Sequence, residues 1–161
     1  MAVATQVAAP PREVRLAAWG WVAAVGSGVV ESVLAVTDAL STGSLSHGAI
    51  AANVALRAVV YGAVLAITAQ LWRGRPWARV ALAILLGGIG TLTLITGPLQ
   101  WVAGWLAGDK YWSDVDADAM FAAFAVVRTF HVVAVWTAMV LMFQPGANAY
   151  FRRGTQNRPR R

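Results

Sequence analysis

Long runs of apolar residues alternate with short polar stretches along this chain. Each run reaches the roughly 20 residues that an α-helix needs to cross a bilayer. None of the runs shows the every-second-residue alternation of a membrane β-strand. The pattern therefore predicts an all-α protein, a bundle of four transmembrane helices in a single membrane domain. In chain order, the predicted spans cover about residues 16–40, 49–72, 77–97 and 119–143.

A Gly97-Pro98 pair closes the third predicted span. Proline lacks a backbone N–H and its ring clashes with the preceding helical turn, so we expect the span to end or kink here. Residues 99–107, which include Trp101 and Trp105, are expected to continue the helix near the membrane interface.

Small residues recur in two of the spans. Ala24 and Gly28 are four residues apart in the first span, and Gly87, Gly88 and Gly90 crowd the third. Such positions let helix backbones approach each other closely. The pattern predicts close helix contacts, either within the chain or between copies of it.

Composition supports a membrane protein and excludes two other classes. The chain is 58% hydrophobic and 12% charged, with a mean hydropathy of +0.60, whereas soluble domains are about 45–50% apolar and about 25% charged. This leaves too little polar surface for a soluble enzyme or a disordered chain. The absence of cysteine also excludes disulfides, thiolate nucleophiles and cysteine-ligated metals.

The positive charges predict the orientation. Ten of the thirteen basic residues precede the first span, lie between the second and third spans or in the first turn of the third, or follow the fourth. The positive-inside rule then places the N-terminus and the C-terminus in the cytoplasm, with tails at residues 1–14 and 146–161, and indicates a multi-pass protein of the bacterial cytoplasmic membrane. Because these charges flank apolar spans, we do not expect a nucleic-acid partner.

The first span has one alternative interpretation, a cleaved signal peptide. The apolar region of a signal peptide is about 7–15 residues long. This run is longer and contains Glu31 and Asp38, so a retained helix is favoured.

Aromatic and basic residues gather at the predicted cytoplasmic boundary. Such side chains prefer the headgroup level, where arginines attract anionic lipids. We therefore expect the bilayer, with anionic lipids at this face, to be the main partner; a homo-oligomer or a membrane-protein partner is left open. The predicted interface anchors are Arg73, Arg75, Trp77, Arg79, Tyr150, Arg152 and Arg153.

Ionisable residues inside the spans form the candidate site. At about 1.5 Å of rise per residue, Glu31, Arg57 and Arg128 lie about 12–14 Å from the outer ends of their spans. Intramembrane charges normally face the bundle interior and pair, so we expect Glu31 to bridge the two arginines. The predicted intramembrane polar cluster comprises Glu31, Asp38, Asn53, Arg57, Tyr61, Arg128 and His131.

Two functions fit this cluster. Two acids and two arginines balance, which favours a structural ion-pair layer that holds helices together. A substrate, ion or proton site of a small transporter or channel subunit is the alternative, since membrane carboxylates and histidines often serve as relays.

Motifs for catalysis or metal binding are not found in the sequence. Asp114, Asp116 and Asp118 alternate as in a calcium loop, but the glycine and glutamate of an EF-hand are missing. His47 and His131 are too far apart for a ligand pair, and no phosphate loop or nucleophile elbow occurs. We therefore expect no enzyme, cofactor or metal, but an accessory, scaffold or envelope-associated protein.

Two boundary motifs carry a family resemblance. The sequence Gly-Arg-Pro-Trp-Ala-Arg spans residues 74–79, and Ala-Asn-Ala-Tyr-Phe spans residues 147–151. Together they resemble small four-helix integral membrane proteins of actinobacteria, which are uncharacterised in function. The resemblance implies the four-helix plan and assigns no catalytic or binding residue.

Overall fold

The computed structural model describes residues 9–108 and 119–156, and all regular structure in these two ranges is helical. Most of the helices are long, and one helical segment is a π-helix. The elements are α1 (Arg12–Thr42), α2 (His47–Trp72), α3 (Pro76–Leu82), the π-helix (Ala83–Gly90), α4 (Thr91–Leu106), α5 (Ala119–Met142) and α6 (Pro145–Gln156).

Four helical stretches are long and apolar enough to cross a membrane. They coincide with the four predicted spans to within a few residues, so the predicted all-helical architecture with four membrane-length helices is confirmed. The stretches are Arg12–Thr42, His47–Trp72, Pro76–Thr96 and Ala119–Met142.

The third helix does not end at Gly97-Pro98. Helical structure continues from Pro76 through the π-helix and α4 to Leu106. Of the two outcomes predicted for this pair, termination is therefore wrong, whereas the predicted helical continuation beyond residue 98 is observed. Apolar surroundings favour a continuous helix because unpaired backbone groups there have no water to bind.

The π-helix was not predicted. The Thr91 hydroxyl donates to the carbonyl of Leu86, five residues back, at 3.1 Å. The segment contains three of the glycines noted above, and a Cβ at Gly87 would overlap Met139 of α5. The wide turn and the missing side chain therefore let α5 pack closely against this segment.

The first helix is central to the packing. α1 packs against α5 along much of its length and against α2 on another face. Gly28 of α1 lies against the ring of Tyr61, and Gly20 lies against Ala138. These small residues serve contacts within the chain, which is one of the two outcomes predicted for such positions.

The buried core lies toward one end of the molecule. The buried residues of α2 are Val64, Thr68 and Leu71, and those of α5 are Val135, Ala138 and Met142, all in the second halves of their helices. We call this end, which also contains Val14, Trp21, Leu82 and Phe151, the packed end. The opposite end, at Thr42 and His47, is the open end, where α1 and α2 leave a groove.

Candidate functional site

An ion pair joins α1 to α5. The Glu31 carboxylate is buried, and Nη2 of Arg128 donates to its Oε1 at 2.5 Å. A hydrogen bond between opposite charges is shorter and stronger than a neutral one. Two of the residues predicted at one depth are therefore brought together, in a contact that fastens two long helices.

Arg57 does not join this pair, so the expected bridge from Glu31 to both arginines is wrong. Nε of Arg57 donates to Oδ1 of Asn53 at 2.8 Å, and Nη1 donates to Oγ of Ser32 at 3.2 Å. Successive residues of an α-helix point about 100° apart. As a result α1 presents Glu31 to α5 and the next residue, Ser32, to α2.

Tyr61 completes the contact between α1 and α2. Its hydroxyl donates to the Gly28 carbonyl at 2.7 Å and lies 3.0 Å from Oγ of Ser32. The Ser32 hydroxyl also donates to the Gly28 carbonyl, at 2.8 Å. The predicted cluster did not include Ser32 or Gly28. The sequence could have indicated Ser32, because its hydroxyl lies next to Glu31 inside an apolar span.

His131 and Asp38 are separate from these two contacts. His131 lies one turn after Arg128 on α5, and its Nδ1 is buried with no hydrogen-bond partner among the described residues. The Asp38 backbone carbonyl accepts hydrogen bonds from Ser41 and Thr42, while its carboxylate has no partner in the described part of the chain. That part also contains no group of three metal-ligating side chains.

The predicted polar layer is therefore two units. One is the Glu31–Arg128 pair between α1 and α5. The other, which we call the Arg57 unit, consists of Ser32, Asn53, Arg57 and Tyr61 between α1 and α2. The first unit is electrically balanced, whereas the second contains an arginine and no acid.

Three residues of the Arg57 unit, Ser32, Arg57 and Tyr61, line an open groove of about 420 Å³ between α1 and α2. These three residues bring arginine, tyrosine and serine groups to its wall, and most of the other lining residues are apolar. The other lining residues are Val29, Val33, Val36, Thr37, Val54 and Ala58.

One predicted interface anchor, Arg79, makes internal contacts at the packed end. Its Nη1 donates to Oδ1 of Asn148 at 2.5 Å. Its guanidinium carbon lies 5.4 Å from the ring centre of Phe143 and 5.2 Å from that of Phe151. Asn148 also donates to the Phe143 carbonyl, at 2.8 Å. Arg79 therefore fastens α6 to α3.

Tyr150 makes the second such contact. Its hydroxyl donates to the Trp72 carbonyl at 2.9 Å. Its ring covers Gly74, whose φ of +72° favours glycine and where a Cβ would lie 3.0 Å from the ring. Burial raises the pKa of the Tyr150 hydroxyl above its ordinary value.

The remaining anchors face outward. Arg73, Arg75, Trp77 and Arg152 are exposed, as expected for side chains at a headgroup level. The Arg153 side chain and residues 109–118, with their alternating aspartates, lie outside the described part of the chain.

Comparison of the chain with protein-family models, with curated proteins and with solved structures finds no match in any of the three. The similarity to actinobacterial four-helix proteins, drawn from the two boundary motifs, therefore stays a prediction.

Proposed function

We propose that this chain is a non-enzymatic accessory or scaffold protein of the bacterial cytoplasmic membrane. The observation that carries the proposal is the Glu31–Arg128 pair, in which the buried acid is used for a contact between two helices. The groove of about 420 Å³ between α1 and α2 does not include Glu31, Arg128 or His131. An ion pair closed in this way aligns helices where lipid supplies no hydrophobic drive for their association.

The proposed orientation places both termini and the packed end in the cytoplasm. The distribution of basic residues supports it, because Arg73 and Arg75 between α2 and α3 and Arg152 of α6 are exposed at the packed end. Exposed Trp72 and Trp77 at the same end suit a headgroup level.

Single cysteines test this orientation cleanly, because the chain has none of its own. Ser44→Cys, in the turn between α1 and α2, should react with a membrane-impermeant maleimide in intact spheroplasts. Gln156→Cys, at the end of α6, should react only after permeabilisation. The reverse pattern would show the opposite orientation.

If the chain has the scaffold role, the purified protein should not transport ions across a membrane. Reconstituted in liposomes, it should move H⁺, K⁺ and Cl⁻ no faster than protein-free liposomes do. Affinity purification in mild detergent should recover a membrane-protein partner in a fixed ratio to the chain. Flux that Glu31→Gln abolishes would overturn the proposal.

A small transporter or channel subunit is the second candidate. The observation in its favour is that Nδ1 of His131 and Nε of Arg128 are buried with no hydrogen-bond partner among the described residues. Such atoms near a buried carboxylate suit a proton or ion path. Flux that is lost in both His131→Gln and Glu31→Gln, with folding intact, would favour this candidate.

A further inference from the structure

Arg57 is an intramembrane charge with no counter-charge among the described residues. It lies ten residues, or about 15 Å, from the start of α2, inside a hydrocarbon core that is about 30 Å thick. Its two contacts, to Asn53 and Ser32, are with neutral groups. Ionisable groups at such depth are costly and normally pair with one another. Arg57 therefore lacks the carboxylate that would balance it at this depth.

The guanidinium is held in position and still has donors to offer. A guanidinium has five N–H groups, and in the described part of the chain only the contacts to Asn53 and Ser32 use them. Asn53 is on α2 and Ser32 is on α1, so the group is fixed from both helices that border the groove. None of the residues that line the groove is acidic. A carboxylate that enters the groove can accept hydrogen bonds from the free N–H groups, a pairing stronger than a neutral hydrogen bond.

The surface around Arg57 is apolar and open. None of the described α2 residues before Val64 is buried, and the exposed side chains at the groove include Val29, Val33 and Val54. Val54 lies nearer the open end than Arg57, and Val29 lies farther from it. A transmembrane helix covers such a surface on both sides of Arg57 and can present an acid between its apolar residues. Lipid acyl chains cover the same surface but have no charged group at this depth.

A second copy of this chain does not supply the acid. Two copies related by a twofold axis normal to the membrane place equal residues at equal depth, so their Arg57 groups would repel each other. Glu31, which lies at a similar depth, is already paired with Arg128. Asp38 lies only four residues, or about 6 Å, from the end of α1. The complementary acid therefore belongs to a different chain.

We propose that the groove between α1 and α2 binds a transmembrane helix of a different membrane protein, through an aspartate or glutamate near the middle of that helix. The carboxylate accepts hydrogen bonds from Arg57, and the apolar residues above and below it pack against the valines of the groove. A helix without an acid leaves Arg57 unbalanced, so the charge pair also selects the partner. The proposal rests on the accessory role and names the chemistry of the partner.

Synthetic transmembrane peptides in liposomes test the site. The probes are leucine-rich helices of about 20 residues with an acceptor dye, identical except for one central residue, Glu or Gln. The full-length chain has no cysteine of its own, so Ser44→Cys carries the donor dye, and energy transfer is titrated against the peptide-to-lipid ratio. The chain should bind the Glu peptide at least about tenfold more tightly than the Gln peptide, the size of one hydrogen bond to a charged group. Equal binding of the two peptides would overturn the proposal.

Two matched arginine variants locate the binding. Arg57→Gln removes the charge in the groove and should bind both peptides about equally. Arg73→Gln removes the same charge just after α2, at the packed end, where Arg73 is exposed, and should keep the preference for the Glu peptide. If Arg73→Gln loses the preference and Arg57→Gln keeps it, the acid binds at the packed end and the proposal is wrong.

Two further arms test depth and packing. A peptide with its Glu moved to one end should bind no better than the Gln peptide, because the acid then lies among the headgroups and not at the depth of Arg57. A preference that survives this move would contradict the intramembrane pairing. Ala58→Leu fills part of the groove and should weaken both peptides alike, and unchanged binding would place the helix elsewhere.

Energy transfer between donor-labelled and acceptor-labelled copies of the Ser44→Cys chain tests the second copy. Transfer that Arg57→Gln abolishes would show a self-association surface and overturn the proposal. Each variant is checked for wild-type helicity and elution volume, and if Arg57→Gln does not fold, the comparison of central with terminal Glu decides. Loss of the Glu preference would remove this site but not the scaffold role, which the ion-flux measurement tests independently.

Discussion

The Glu31 carboxylate and the Arg128 guanidinium meet across 97 residues of sequence and join α1 to α5. Arg57, which lies at a similar depth, contacts α1 through the neighbouring residue Ser32. The two arginines are therefore not equivalent, and substitutions can tell them apart.

Glu31→Gln should destabilise the protein by about 2–3 kcal/mol. The substitution leaves Arg128 without its counter-charge, and breaking a buried pair typically costs about 3–5 kcal/mol. We expect a smaller loss than this typical range because the Arg128 side chain is 34% exposed and the pair is only partly buried. Denaturant unfolding in detergent micelles measures the change.

A second substitution added to Glu31→Gln shows which arginine pairs with Glu31. Arg128→Gln added to Glu31→Gln should cost less than the sum of the single changes, by about 1–3 kcal/mol. Arg57→Gln added to Glu31→Gln should be additive. Compensation by Arg57→Gln instead would contradict the observed pairing.

Two glycines of α1 should respond oppositely to alanine. A Cβ at Gly20 would lie 2.9 Å from the Cβ of Ala138 and 3.4 Å from the Ala134 carbonyl, whereas nothing lies within 4 Å of a Cβ at Gly26. Gly20→Ala should lose about 1–3 kcal/mol through overpacking. Gly26→Ala should be neutral or gain up to about 1 kcal/mol. Thermal unfolding compares the pair, and equal melting temperatures would argue against close α1–α5 packing.

Arg79→Lys should loosen α6. Lysine keeps the charge but loses the planar group that lies over Phe143 and Phe151 and bonds Asn148. The expected loss is about 1–2 kcal/mol, seen as faster amide hydrogen exchange in residues 145–156. The exposed Arg75, replaced by lysine, is the control and should leave exchange unchanged.

Stability should fall as the pH rises past about 10, the ordinary pKa of tyrosine. Burial raises the pKa of Tyr150 in the folded protein. Above pH 10 the unfolded chain therefore loses this proton before the folded one does, which favours unfolding. Tyr150→Phe removes the ionising group and should show a shallower decline between pH 9 and 11. Identical slopes in thermal unfolding would contradict the assignment.

Much of the fold followed from local sequence. The predicted second span ends at Trp72, where the observed α2 also ends, because an apolar run of sufficient length has to satisfy its backbone groups within one helix. The π-helix escaped prediction, since a glycine-rich run permits a wide turn without requiring one. In the structure, Met139 of α5 lies against Gly87 within the π-helix, a contact that local sequence does not reveal.

The sequence predicted most of the residues that form the candidate site, but not which of them contact each other. Depth along a helix follows from counting residues, and counting placed Glu31, Arg57 and Arg128 at one level. Pairing depends also on which helix lies beside which and on how each is rotated about its axis. The tertiary structure places α1 between α5 and α2, so a one-residue step from Glu31 to Ser32 separates the two arginines. The sequence determines the depth of each charged residue along its helix. The packing and rotation of the helices decide which residue it pairs with.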